Sequence, residues 1–141
     1  MKNYSEITDI NQYLDIQIQL KPVGLPNIWA KVNHDYIGYS RLSAPITLDY
    51  RIRLSEPFTI IIELHNKDYN TNNETAVIIE RLLVDNIDII PKYDYLAEYI
   101  NDHDNNNPTN YLGFNGKWTL TIDRSFYHWL HQHSGQGWLI G

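Results

Sequence analysis

The stretch Leu14-Asp15-Ile16-Gln17-Ile18-Gln19-Leu20 decides how the rest of the chain is read. Its apolar residues fall at every second position with an acid and amides between them, the period of a strand with one face in a core and the other in water. A helix would need its apolar residues three and four positions apart. Downstream, Pro22, Gly24 and Pro26 interrupt this strand before a second one, Ile28 to Val32. Asn33-His34-Asp35 reads as the next turn, with Tyr36 to Leu42 returning. Ile46, Leu48, Tyr50, Ile52 and Leu54 then alternate with Thr47, Asp49, Arg51 and Arg53, and Glu56-Pro57 turns this run into Phe58, Ile60, Ile62 and Leu64.

The second half repeats the pattern with longer interruptions. Ala76 to Asp85 is apolar on both faces, as a central strand between two layers would be. Asn86 turns the chain into Ile87 to Ile90, and Lys117 to Asp123 puts Trp118, Leu120 and Ile122 on one face. Helix signals are short: about two turns over Tyr93 to Asn101 after Pro91, and about two over Ser125 to His133 with Ser125 as N-cap. Seven or eight short strands separated by turn residues predict an all-β fold. The expected architecture is an antiparallel β-sandwich or jelly roll with one or two short helices. Residues 1–12 read as an N-terminal arm, 13–133 as a single β-sandwich domain and 134–141 as a C-terminal tail.

Composition removes several function classes. The 141 residues suffice for one domain, which at this size buries roughly 70% of its unfolded surface without staples. The absence of cysteine removes disulfides, thiolate metal sites and cysteine nucleophiles together. A net charge of −6 and scattered basic residues argue against nucleic acid, whose binding rests on Lys and Arg. No apolar run approaches the roughly 20 residues that span a bilayer. Met1 to Asp15 holds one lysine, three acids and no apolar segment, so it does not read as a secretory signal. Synthesis in a cytoplasm is expected. The wealth of Asn, Ile and Tyr and the scarcity of Ala are habits of AT-rich genomes, whether of a phage, a low-GC bacterium or a protist.

Two segments carry a family resemblance. One is His65-Asn66-Lys67-Asp68 followed, after a polar loop, by Glu74 to Asp88. The other, more specific, is Tyr111-Leu112-Gly113-Phe114-Asn115-Gly116-Lys117-Trp118-Thr119-Leu120, closing in Phe126-Tyr127-His128-Trp129-Leu130. Together they resemble the small structural proteins of T4-like marine and other tailed phages, a family that itself resembles carbohydrate-binding-module-type β-sandwiches. The resemblance implies a noncatalytic phage protein carried on the virion, and it supplies no functional residues. On its own residues, the second segment reads as a tight turn with positive φ at Gly113 and Asn115-Gly116, feeding a strand whose Trp118 plugs the core.

Few residues offer chemistry. Asp68, Asn70 and Asn72 have the every-second spacing of the first ligands of a calcium loop, and Asp102, Asp104 and Asn106 repeat it. Asn73 stands where the EF-hand glycine belongs and Ile79 where its bidentate acid belongs, so a solvated hairpin loop is the simpler reading. Calcium is the one ion these loops could hold; no cofactor is otherwise expected. His128, His131 and His133 lack the i, i+4 spacing and glutamate of a hydrolytic zinc helix. The acids form no recognisable catalytic pair, and the one Gly-X-Gly, Gly135-Gln136-Gly137, cannot open a helix under a phosphate.

Aromatic residues are the better lead, with eleven tyrosines and four tryptophans. If Ile28, Ala30 and Val32 face inward, Trp29 faces outward beside Lys31 and Asn33, with Tyr36 and Tyr39 on the returning strand. Flat rings flanked by amides and carboxylates suit sugar recognition, and equally suit a protein interface or ordinary half-buried packing. The apolar tail Trp138-Leu139-Ile140 follows a flexible glycine-containing linker and reads as a docking segment. The first expectation is therefore a noncatalytic virion decoration protein. It would be made in the host cytoplasm, assembled in many copies, and bound to neighbouring capsid or tail subunits. The alternative is a glycan-binding module for host surface polysaccharide; a small hydrolase ranks third.

Overall fold

The computed structural model describes residues 13–71, 73–90, 92–103 and 109–133. The arm at 1–12 and the tail with Trp138, Leu139 and Ile140 lie outside the described residues, as do Asn72, Asp104 and Asn106. Ten strands form two antiparallel sheets. The first sheet has the order β4 (Ile46–Arg53), β1 (Tyr13–Val23), β6 (Ala76–Val84), β7 (Ile87–Ile90), with the two-residue β9 (Tyr111–Leu112) sharing the β6 edge with β7. The second has the order β3 (Asp35–Gly38), β2 (Asn27–Val32), β5 (Phe58–His65), β10 (Gly116–Ile122), β8 (Glu98–Asn101). One helix, α1 (Phe126–His133), follows β10. This is the antiparallel β-sandwich that the alternation predicts. No helix among the described residues is long and apolar enough to cross a membrane.

The core is the sum of the inward-pointing sets. Leu14, Ile16, Ile18 and Leu20 of β1 are buried, as are Ile28, Ala30 and Val32 of β2 and Phe58, Ile60, Ile62 and Leu64 of β5. Trp118 plugs the interior as the sequence implies. Helix α1 adds Phe126 and Trp129, and Trp129 meets Tyr93 edge-on at 5.7 Å.

β6 differs from its sequence reading. It is central in its sheet, yet Glu80 and Arg81 are exposed and no second layer covers it there. The long apolar run has another cause. The pairing steps from Gln19↔Arg81 to Leu20↔Ile79, so Glu80 is an extra residue, a β-bulge. The inward set then changes parity from Val77 and Ile79 to Leu82 and Val84.

The helix expected over Tyr93 to Asn101 is instead one 3₁₀ turn, Asp94–Leu96, and strand β8. A helix that short is marginal without packing, whereas β8 gains ladder bonds on the open edge of β10 and buries Tyr99. Tyr36 to Leu42 is likewise shortened, because β3 ends at Gly38, whose φ is 137°.

The turns divide by chemistry. Asp85 and Asn86, both at positive φ, join β6 to β7 in two residues, the requirement of a type I′ hairpin. Asn33, at φ 56°, opens the turn between β2 and β3. The Gly113 to Gly116 segment does not use positive φ. Gly116 is needed for space: a Cβ there would strike the Ile100 carbonyl oxygen and lie 2.6 Å from the Asn101 Cα. Gly116→Ala should therefore cost about 1–3 kcal/mol by forcing β8 away from β10. Trp118→Ala should cost about 3–5 kcal/mol. Urea unfolding monitored by circular dichroism reads both.

Candidate functional site

Alternation along β2 places Asn27, Trp29 and Lys31 on the outer face of the second sheet, opposite to the core set. Trp29 is 40% exposed. Across the β2–β5 ladder its neighbour is Glu63, while His65 stands opposite Asn27. The His65 ring tilts against Trp29 with centroids 4.7 Å apart, and the Lys31 ammonium sits 5.5 Å over the indole. A cation at that distance from a desolvated or half-exposed ring is attracted by its quadrupole. Tyr36 pairs in register with Lys31 and so shares this face, and its hydroxyl donates to the Tyr39 carbonyl. The three expected rings thus gather near one edge of one sheet, with Lys31 between Trp29 and Tyr36 and with Tyr39 just past the end of β3.

Beside Trp29 the loop end of the sandwich opens into a cleft of about 640 Å³, within the range of small-ligand sites. Its walls include Asn27, Arg41, His65, Asp68 and Glu74. Arg41 is bridged to Asn27 across an antiparallel pair, so Arg41, Asn27 and His65 form one row on the Trp29 face. His65 therefore belongs to both the aromatic face and the cleft. Its Nδ1 is buried without a hydrogen-bond partner.

Lys67 and Glu74 of the cleft wall are held in place by contacts between loops behind them. The Asn115 side chain accepts from Lys67 N at 2.8 Å and donates to Lys67 O at 3.2 Å. The Lys67 ammonium, its side chain only 10% exposed, pairs with Glu74 at 3.2 Å and donates to the Gly113 carbonyl at 2.6 Å. The Tyr69 hydroxyl donates to Asp102 at 2.7 Å while accepting from Asn115 N at 2.7 Å. His103 stacks flat on Phe114 at 4.5 Å and contacts Asp102 through Nδ1 at 2.7 Å. That histidine, followed by the Tyr69 hydroxyl, holds the Asp102 carboxyl below the usual carboxylate range.

Asp68 and Asn70 are used locally: the Asp68 carboxylate accepts from Asn70 N at 2.8 Å and so closes its own turn. Among the described residues no three of His, Asp and Glu converge on a point. The Asp68 and Asp102 carboxylates both accept hydrogen bonds within the loops. On α1, His128 meets the Ser125 hydroxyl at 3.3 Å, and His133 lies 5.1 Å from Trp129. No further group is bonded to His128 among the described residues.

Neither a protein-family model nor a curated protein sequence matches the chain. Solved structures do. A carbohydrate-binding module, vCBM60 in complex with galactobiose, matches with a TM-score of 0.52 at 15% identity, covering 76% of this chain and 97% of that one. The selenomethionine form of vCBM60 matches at 0.53 and 14% identity, covering 77% and 92%. It was described with a circular permutation that links two families of calcium-dependent carbohydrate binding modules. The fold is a carbohydrate-binding-module-like β-sandwich.

Sequence reasoning put Trp29 on the outer face beside Lys31 and did not place His65 against it. His65 was within reach, since it continues the outward phase of Ile61 and Glu63 in β5. Arg41, Lys67 and Asn115 gave no signal, because their placement depends on contacts between distant loops.

Tyr99 holds the β9–β10 loop from below. Its hydroxyl donates to the Phe114 carbonyl and accepts from Phe114 N at 2.9 Å. Burial, opposed in part by the bond to Phe114, raises its pKa to about 12. The neutral phenol is thus favoured in the fold, so this contribution is complete below pH 10 and is lost as pH rises from about 10 to about 12. Tyr99→Phe should lower stability at neutral pH by about 1–3 kcal/mol by stranding the Phe114 amide. It should also flatten the alkaline fall in stability, as chemical unfolding at stepped pH would record. Chelation with EDTA should leave the thermal midpoint nearly unchanged, whereas a large loss restored by calcium would place an ion among the loops.

Proposed function

We propose that this protein is a noncatalytic glycan-binding module whose site is the Trp29–His65 face and the adjoining cleft. The observation that carries this reading is the continuity of the two: His65 packs on the exposed indole and also lines a polar cleft. Sugar rings present CH faces to aromatic planes and hydroxyls to amides and carboxylates. Here Trp29 supplies the plane, and Asn27, His65 and Asp68 supply polar partners beside it. The likeness in fold to modules that include one solved with galactobiose supports the same reading. The lack of a described nucleophile–base–orienter set favours binding over hydrolysis. The virion placement, with capsid or tail subunits as partners, rests on the sequence resemblance alone and forms no part of this proposal.

A glycan array covering neutral and acidic polysaccharides should return positive spots, and Trp29→Ala should weaken them at least about tenfold, the loss of roughly 1.4 kcal/mol. The variant should keep a wild-type unfolding midpoint within a few degrees, because the ring is on the solvent side of β2. A Trp29→Ala protein that binds normally would exclude this face, and an array with no positive spot would exclude glycan binding altogether.

A further inference from the structure

The proposed site carries more cationic partners than a neutral sugar uses. Trp29 is bracketed on its own face: Lys31 is two residues on in β2, and Arg41 stands across from Asn27, two residues back. Successive same-face residues are about 7 Å apart along a strand, and directly paired ones about 5 Å apart across it. Lys31 thus sits over the indole, and Arg41 stands at a diagonal position, about 7–8 Å away across the strands.

Their charges are uncommitted. Arg41 has no side-chain partner among the described residues, although it lines the cleft. Lys31 has only the indole. Of the acids of the cleft, Glu74 is paired with Lys67, whereas Asp68 accepts from its own turn and keeps its charge. On the wider outer face, Lys117 stands opposite Glu63, and Glu98 stands opposite Thr119. On the sheet face Lys31, Arg41 and Lys117 stand with Glu63 and Glu98, and Glu63 is the cross-strand neighbour of Trp29 on the side away from Arg41. Lys31 also lies over the ring that a sugar would stack on. A neutral sugar displacing it would lose the cation–π contact and offer the ammonium only hydroxyl acceptors, whereas an acidic sugar would convert that contact into an ion pair. The planar fork of Arg41 matches a carboxylate in two parallel hydrogen bonds.

We propose that the ligand is an acidic glycan, a uronate-bearing chain. One sugar stacks on Trp29, its carboxylate or its neighbour's is held by Arg41, and Lys31 swings from the indole to a second anionic group. This rests on the glycan-binding reading and names its ligand class.

The test is isothermal titration against three uronate polymers, each beside a neutral counterpart: polygalacturonate with galactan, alginate with mannan, and glucuronate-bearing xylan with unsubstituted xylan. At least one uronate should bind about tenfold or more tightly than its counterpart at low salt, with the advantage shrinking as sodium chloride is added. Arg41→Gln should abolish that advantage and Arg41→Lys should restore part of it, with unfolding midpoints unchanged because Arg41 is exposed. Lys31→Gln should reduce it further. Equal or tighter binding of the neutral polymers, or a preference that survives Arg41→Gln, overturns the acidic-ligand inference while leaving glycan binding intact. Binding to none of the six polymers, or binding indifferent to Trp29→Ala, overturns both.

Discussion

The pairing of β2 with β5 is the constraint on which both the interior and the outer face depend. In register, Ile28, Ala30 and Val32 meet Leu64, Ile62 and Ile60 inside the sandwich. The same register leaves Asn27, Trp29 and Lys31 beside His65, Glu63 and Ile61 outside it. A slip of one residue would exchange the two faces, sending a lysine and an asparagine inward and an isoleucine and a valine into water. The site therefore needs no separate mechanism of assembly on this sheet. Burial of the apolar set fixes where the indole and imidazole stand, and rigid strands present them more accurately than loops would.

Loops supply the rest, and they are held by polar contacts rather than by the core. The amide clasp between Asn115 and Lys67 links parts of the chain 48 residues apart. The nearly buried Lys67 ammonium is satisfied by a carboxylate and a carbonyl, so its desolvation is offset only while both loops stay in place. At the surface the Tyr69 hydroxyl adds a bond from the same loop to Asp102. Removing Glu74 would leave the Lys67 ammonium nearly buried without its counter-charge, so the loops that meet at Lys67 hold or loosen together.

The fold was legible where strands are long and face water on one side. β1, β2, β4 and β5 announce themselves by alternation, and Asp85-Asn86 by turn chemistry. The bulge at Glu80 was not legible, because an extra residue in a strand looks like a second apolar face until its partner is known. β8 and β9, four and two residues long, are too short to display a period. Gly116 read as a turn glycine because sequence reports flexibility, not the nearness of Ile100 and Asn101. For the site, outward phase identified Trp29 and could have added His65. Arg41 belongs to no periodic element, and its place depends on an isolated bridge to Asn27.

The two ends of the sandwich are built to different tolerances. At one end Asn33 and the Asp85-Asn86 pair close hairpins in tight turns at positive φ, where few residues fit and length cannot change without shifting a register. At the other end the connections at 39–45, 66–75 and 102–110 are longer; the first is tied to Pro26 and Ile28 by backbone bonds, and the second to Asn115 through its side-chain amide. Mutational drift and insertions can accumulate there without disturbing the pleat. Homologues would then share the tight end almost unchanged while diversifying the open one, and a library for retargeting the protein would randomise the loops at 66–75 and 102–110 while keeping Asn115 and Lys67 as their common fastening.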